Sequence, residues 1–283
     1  MEINNLNFNL NEVFARIPLL QMYGVDDFKV SRLAGFTNHN FHLKNTEHDW
    51  VLRIPKKETN QFINRAFEAE NVNALSQSDF VPKIIWRDES GISLTANCAQ
   101  ARPFGREDMR DQSVLALLID HISHLHQSNF KFSGKLDIAT LVKQYFELTP
   151  EDSAARLNPY YKQLQQNLTH VEKIDACKVA SHNDLVLENL LIQDGQKIYI
   201  IDWEYSAQAS PYWDLATLCN TARFDLQQSQ NLLELYNAKG NSLKLNVLCN
   251  YQRILQFLTV CWMAKFSGQN LDDELNWFKQ IQT

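Results

Sequence analysis

Ser181-His182-Asn183-Asp184-Leu185-Val186-Leu187-Glu188-Asn189, followed by two apolar runs parted by Asp194-Gly195 and then by Ile201-Asp202-Trp203-Glu204-Tyr205, is the stretch that decides how this chain is read. A His, an Asp two residues on and an Asn five beyond that is the spacing that sets a hydroxyl nucleophile beside a metal-bound phosphate. The later Asp202, at the end of a strand-like run, stands where a second metal contact belongs. Asp184 is the candidate base, oriented to take the proton of a substrate hydroxyl late in transfer. Most of the rest of such chemistry is positioning and charge neutralisation.

Local geometry supports the grouping. Leu190-Leu191-Ile192 and Ile198-Tyr199-Ile200-Ile201 read as strands, and Asp-Gly between such runs is a strong hairpin signal. With a two-residue turn on Asp194 and Gly195, Asn189 pairs with Ile200. Asp202 then falls two residues beyond that pair and on the same face, roughly 7–8 Å from Asn189. An Asn and an Asp supply the hard oxygen ligands that suit Mg²⁺. The expectation depends on the turn length, because a three-residue loop slips the register.

The remainder of the chain divides into two kinds of pattern. Before about residue 95 the apolar runs are short and strand-like (28–30, 41–43, 50–54, 83–86 and 92–94), interrupted by one helix from about Gln61 to Ser76. From Asp111 to Gln127 the spacing turns helical, with Val114, Leu117, Leu118, Ile122 and Leu125 recurring on one side. Residues 130–175 read as a weakly patterned polar helical region and 226–283 as further helices. The expected class is α+β, a β-rich lobe over residues 1–97 that holds nucleotide and a mostly helical catalytic lobe over 98–283. With 283 residues, the chain is long enough for both lobes and a sizeable core.

Composition narrows the function. A net charge of −6 argues against a general nucleic-acid binder. Five scattered cysteines form neither a disulfide framework nor a zinc spacing, and no run reaches the length of a membrane span. Met1 to Phe8 lack a basic region followed by an apolar core, so a cytoplasmic protein with neither nucleic-acid nor membrane partner is expected.

In the first lobe, Gly35-Phe36-Thr37-Asn38-His39-Asn40 sits between strand-like runs as a candidate turn over the phosphates, with Gly35, Thr37 and Asn38 as its cofactor contacts. Arg53, on the strand after Trp50-Val51-Leu52, can clasp phosphate oxygens with its guanidinium fork. Its helical glutamate partner is Glu70 by periodicity, since Glu70 shares a stripe with Ile63, Ala66, Phe67 and Ala74; Glu68 is the competitor.

These motifs, with Ile63-Asn64-Arg65 and Pro211-Tyr212-Trp213-Asp214-Leu215-Ala216, resemble the choline/ethanolamine kinase family. The match is strongest to the bacterial choline kinase branch of the aminoglycoside phosphotransferase superfamily and covers most of residues 30–220. The resemblance implies a protein-kinase-like fold with ATP between the lobes and a hinge near Ala96 to Cys98. It implies His182, Asp184 and Asn189 in catalysis, Asn189 and Asp202 on Mg²⁺, and Arg53 on the ATP phosphates. It favours Glu68, seven residues before Leu75, as the Arg53 partner, and Asp214 as a brace for the catalytic loop. Asn183 replaces the Arg through which protein kinases sense a phosphorylated loop, so activation of that kind is not expected. The hinge, Ala96-Asn97-Cys98-Ala99-Gln100-Ala101, departs from the family pattern and assigns no side chain to adenine.

The small-molecule substrate is expected to be a cationic alcohol, choline or ethanolamine, recognised by aromatic faces and carboxylates. The resemblance implies Tyr205 and Trp262 as pocket residues, and Glu204 and Trp213 are further candidate contacts. A thiamine kinase or an aminoglycoside phosphotransferase of the same fold is the alternative, and a catalytically silent ligand-binding relative the third reading. Oligomeric state is not legible in the sequence.

Overall fold

The computed structural model describes residues 9–35, 37–56, 63–174, 177–266 and 271–281. A short helix, α1 (Leu10–Arg16), precedes a five-stranded antiparallel sheet. Its strands are β1 (Lys29–Leu33), β2 (Asn38–Lys44), β3 (Asp49–Pro55), β4 (Ile84–Arg87) and β5 (Ser93–Ala96), in the order β1-β2-β3-β5-β4. Alternation along β2 and β3 buries Phe41, Leu43, Leu52 and Ile54 on one face. There they meet Leu10, Val13, Phe14 and Ile17 from α1 and the loop after it. The sequence reading allowed this lobe a single helix. α1 was missed because seven residues offer too few turns for a helical period to show.

Helix α2 (Arg65–Ala74) crosses between β3 and β4. Asn64 caps it, its side chain accepting from the N–H groups of Ala66 and Phe67. The expected start at Gln61 lies outside the described residues. Val72 and Leu75 join the large core of the second lobe and not the sheet.

That second lobe is built from β6 (Arg102–Pro103), α3 (Gln112–Gln127), α4 (Ile138–Leu148), α5 (Glu151–Ile174), β7 (Val179–Ser181), the hairpin β8 (Leu190–Gln193) and β9 (Lys197–Ile200), β10 (Ala207–Ala209), α6 (Pro211–Ala222), α7 (Leu226–Asn237), α8 (Leu245–Phe266) and α9 (Leu271–Gln280). α3 begins where its spacing predicts, with Asp111 as N-cap. Its Leu118, Ile119 and Ile122 are wholly buried against the hairpin and the later helices. α6 is buried along nearly its whole length and packs on α8. It forms the floor on which the catalytic segment rests. Among the described residues no helix is long and apolar enough to cross a membrane.

Candidate active site

The catalytic segment runs from β7 to β8 and is pinned by its apolar residues. Leu185 and Leu187 are buried, while Asn183 and Asp184 just before them are only partly so. Asp214 of α6 holds the backbone, accepting from the N–H of His182 at 2.9 Å and of Asn183 at 2.8 Å. His126 of α3 contacts Asp214 from the far side at 3.0 Å and reaches Tyr236 of α7 through its other ring nitrogen at 2.9 Å. Burial works against the Asp214 carboxylate, but the His126 hydrogen bond and charge outweigh it and keep its pKa below the ordinary range.

Asn189 donates its side-chain N–H to Asp184 twice, to the backbone carbonyl at 2.9 Å and to Oδ2 at 3.0 Å. The Asp184 carboxyl is therefore fixed in direction, with its amide partner five residues on. Burial first, then the charges of Asp202 and Glu204, push its pKa up to about 7. Burial also raises Asp202, to about 6, against the pull of Arg53.

The hairpin differs from the expected register. Gln193 pairs with Lys197 and Leu190 with Ile200, so three residues (Asp194, Gly195, Gln196) lie between the paired ends. Both Asp194 and Gly195 have positive φ, as the Asp-Gly signal requires, and Gln196 then bulges. Asn189 accordingly faces Ile201, whose N–H donates to its carbonyl at 2.9 Å. The same-face argument for Asp202 is overturned. What brings its carboxylate back to the site is a left-handed backbone at Asp202 itself, φ 62° and ψ 61°, which ends the strand and re-aims the side chain.

Arg53 on β3 sits at the centre of a charge cluster. Its Nη1 meets Glu68 Oε1 at 2.6 Å, and its Nη2 meets Glu204 Oε2 at 2.5 Å and Asp202 Oδ1 at 3.1 Å. Burial opposes the Arg53 charge, but the three carboxylates outweigh it and raise its pKa. Glu68 also takes Arg65 at 2.7 Å and Arg87 at 2.8 Å. Glu68 rather than Glu70 is thus the partner of Arg53. Glu70 points away and accepts from the Ser133 hydroxyl. Periodicity misled here because α2 buries its charged side against Arg53 and leaves Phe67 40 % exposed.

Several expected contacts have other work. His182 is wholly buried, its ring 4.5 Å from that of Trp203 and its Nε2 on the Ile201 carbonyl at 2.9 Å. Burial lowers its pKa, and its contacts tie the loop to the end of the hairpin. Trp213 is 2 % exposed beneath the loop, donating to the Asn183 carbonyl at 3.1 Å. Glu204, expected at the substrate, is engaged by Arg53, Arg65 and Asn38. Asn38, expected on the cofactor, instead donates to Asp202 at 3.3 Å and to Glu204 at 3.1 Å. Gly35 lets the start of β2 pass close by, since a Cβ there would lie 2.6 Å from the Asn38 carbonyl oxygen. Phe36 lies outside the described residues.

Tyr205 stands half-buried beside these carboxylates, and burial above all raises its pKa. Tyr145 of α4 lies against the same group. Burial, and then the Asp184 charge, push it up to about 12. Sequence reading missed Tyr145 because it sits in a region taken as weakly patterned. Its signal was the buried stripe of Ile138 and Val142. Trp262 is half-buried on α8, its ring 5.8 Å from Phe266, and α4 packs on that helix.

Two lobes with this charge cluster and a braced Asp–Asn loop between them define a kinase-like small-molecule phosphotransferase. The choline kinase LicA of Streptococcus pneumoniae superposes with a TM-score of 0.82 at 21% identity, covering 96% of this chain and 97% of that one. A LicA structure in complex with AMP gives 0.81 at 20% identity, covering 98% of each chain. In sequence, Protein LicA of Haemophilus influenzae is 30% identical over 261 residues, 86% of this chain and 75% of its own length. The choline/ethanolamine kinase family model matches residues 30–243, and the chain belongs to that family. It is a phosphotransferase with an alcohol as acceptor.

Proposed function

We propose that this protein transfers the γ-phosphate of ATP to the hydroxyl of choline or ethanolamine with Asp184 as base. The observation that carries the reading is the Asp184 carboxyl, held by Asn189 at 3.0 Å and flanked by Tyr145 and Tyr205. An aromatic and acidic surround attracts an ammonium group and delivers its alcohol arm to Asp184. The AMP complex of the LicA relative supports a nucleotide between the lobes. Arg53 then contacts its phosphates, with Glu68 holding the guanidinium in place and Gly35 and Thr37 as further contacts. Trp262 is retained as a further wall of the alcohol pocket.

The side-chain oxygens of Asn189 and Asp202 are hard donors that fit Mg²⁺, and two protein ligands suffice where phosphates complete the shell. Bound there, the ion would neutralise phosphate charge. Asp184 orients the hydroxyl and takes its proton as the new P–O bond forms, and ADP leaves.

The test is Mg²⁺-dependent ADP formation against choline, ethanolamine, thiamine and a set of aminoglycosides, with Asp184→Asn alongside. Saturable turnover on choline or ethanolamine that the variant loses is the expected result. Turnover confined to thiamine or an aminoglycoside would overturn the substrate and keep the chemistry. Nucleotide binding without turnover on any of them would overturn both.

A further inference from the structure

The loop after β6, the C-terminal end of α6 and helix α9 enclose a cleft of about 450 Å³ lined by Arg106, Arg223, Asp273, Glu274 and Trp277 among others. Arg223 occupies a left-handed position at the end of α6, φ 57°. Its guanidinium lies 5.1 Å from the Trp277 ring centroid and its Nη2 pairs with Glu274 at 2.5 Å. Glu274 is held in turn by Gln256 at 2.6 Å. The arrangement is rigid, yet its donors are not all used. Arg223 Nη1 and Trp277 Nε1 are both buried and neither meets an acceptor among the described residues. Arg106, which is exposed, gives Nε to the Thr221 carbonyl at 3.3 Å.

Buried donors are nearly always paired, and two such gaps lining one cleft call for a common acceptor. Glu274 pairs with Arg223 and Asp273 is the second carboxylate on the cleft, so two guanidinium groups face two acids. Burial, with the neighbouring Arg106 charge adding to it against Glu274 and Asp273, pushes the Arg223 guanidinium below its ordinary range. What the cleft lacks is acceptors for its two unmet donors, and an oxyanion supplies them. Guanidinium groups bind tetrahedral oxyanions through several N–H groups at once. Asp273, on the same cleft, works against an anion and limits its affinity.

We infer that this cleft is an oxyanion site, suited to a phosphate group held by Arg106, Arg223 and the indole N–H of Trp277. It is separate from the nucleotide cleft and does not depend on the activity proposed above.

The experiment titrates inorganic phosphate at constant ionic strength into the full ¹⁵N-labelled chain and follows the indole N–H cross-peaks. The peak absent in Trp277→Phe reports the cleft alone. A saturable shift of that peak is expected, with affinity weakened about tenfold or more in Arg106→Gln and Arg223→Gln, as loss of a charge-assisted donor requires. Asp273→Asn should tighten it. Arg106 is exposed, so its variant remains informative if Arg223→Gln fails to fold. A linear drift, or a saturable shift unchanged in Arg106→Gln, would mean a water-filled crevice or an effect relayed from elsewhere, and would overturn the inference.

Discussion

At the scale of single residues, Asp184 is kept at a cost to the fold. Its pKa in the metal-free protein, about 7, is above that of an unfolded aspartate. The folded state therefore binds more protons between these values, and stability falls as pH rises from about 4 towards 7. Asp184→Asn removes that slope. The melting temperature of the metal-free variant should exceed that of wild type at pH 8 and approach it near pH 4, while kcat falls by about 10²–10⁴. Arg53 tests the opposite side of the cluster. Arg53→Ala leaves Glu68 and Glu204 buried with one fewer cation, and denaturant unfolding should show a loss of about 3–5 kcal/mol. Asp184, Asn189, Asp202 and Arg53 were expected in one place because of residue type and spacing, and the structure brings Asn189 to Asp184 and Arg53 to Asp202. The burial of His182 and Trp213 was not legible, because their positions in the motif do not reveal which way the side chains point. Tyr145 was missed because it lies outside the motif, on a helix whose short buried stripe of Ile138 and Val142 was read as weak patterning.

Elements carried more of the argument where periods were long. α3 stands within a residue of its expected start because its buried stripe runs four turns and Asp111 caps it. The hairpin was visible in Asp194-Gly195, but its register was not. One bulged residue changes which side chains face each other, and turn residues alone do not specify it. α2 shows a further limit, since its buried side carries Glu68, Asn71, Val72 and Leu75, two of them polar, while Ala66, Phe67 and Glu70 of the expected stripe are exposed. Asn71 on α2 is buried, donating to the Ser206 carbonyl at 2.8 Å and to that of Ser133 at 3.2 Å, and accepting from the Ser133 N–H at 2.6 Å. Asn71→Ala should cost about 1–3 kcal/mol in thermal unfolding, since it strips partners from buried backbone groups. Activity should fall further than the folded fraction does, because the same helix carries Glu68.

Across the whole molecule, the class and the two lobes were readable from a change of period near residue 100, and the family model spans that change. Which face of each lobe meets the other was not readable, because it depends on side chains more than a hundred positions apart, such as Arg53 and Glu204. Ligands that bridge lobes should stabilise both together. ATP with Mg²⁺ at about a hundred times its dissociation constant should raise stability by about 2.7 kcal/mol. Differential scanning fluorimetry should show one cooperative transition moving upward, and Asp202→Asn should abolish the part of the shift that requires metal.

The fastening of α2 makes the charge cluster self-supporting. Asn71 ties the helix that carries Glu68 directly to the loop and turn at Ser133 and Ser206, and Glu68 grips Arg53. Helix, sheet and loop are thus latched to one another by side chains of a single chain, so that a strain applied at Ser133 or Ser206 is felt at Arg53.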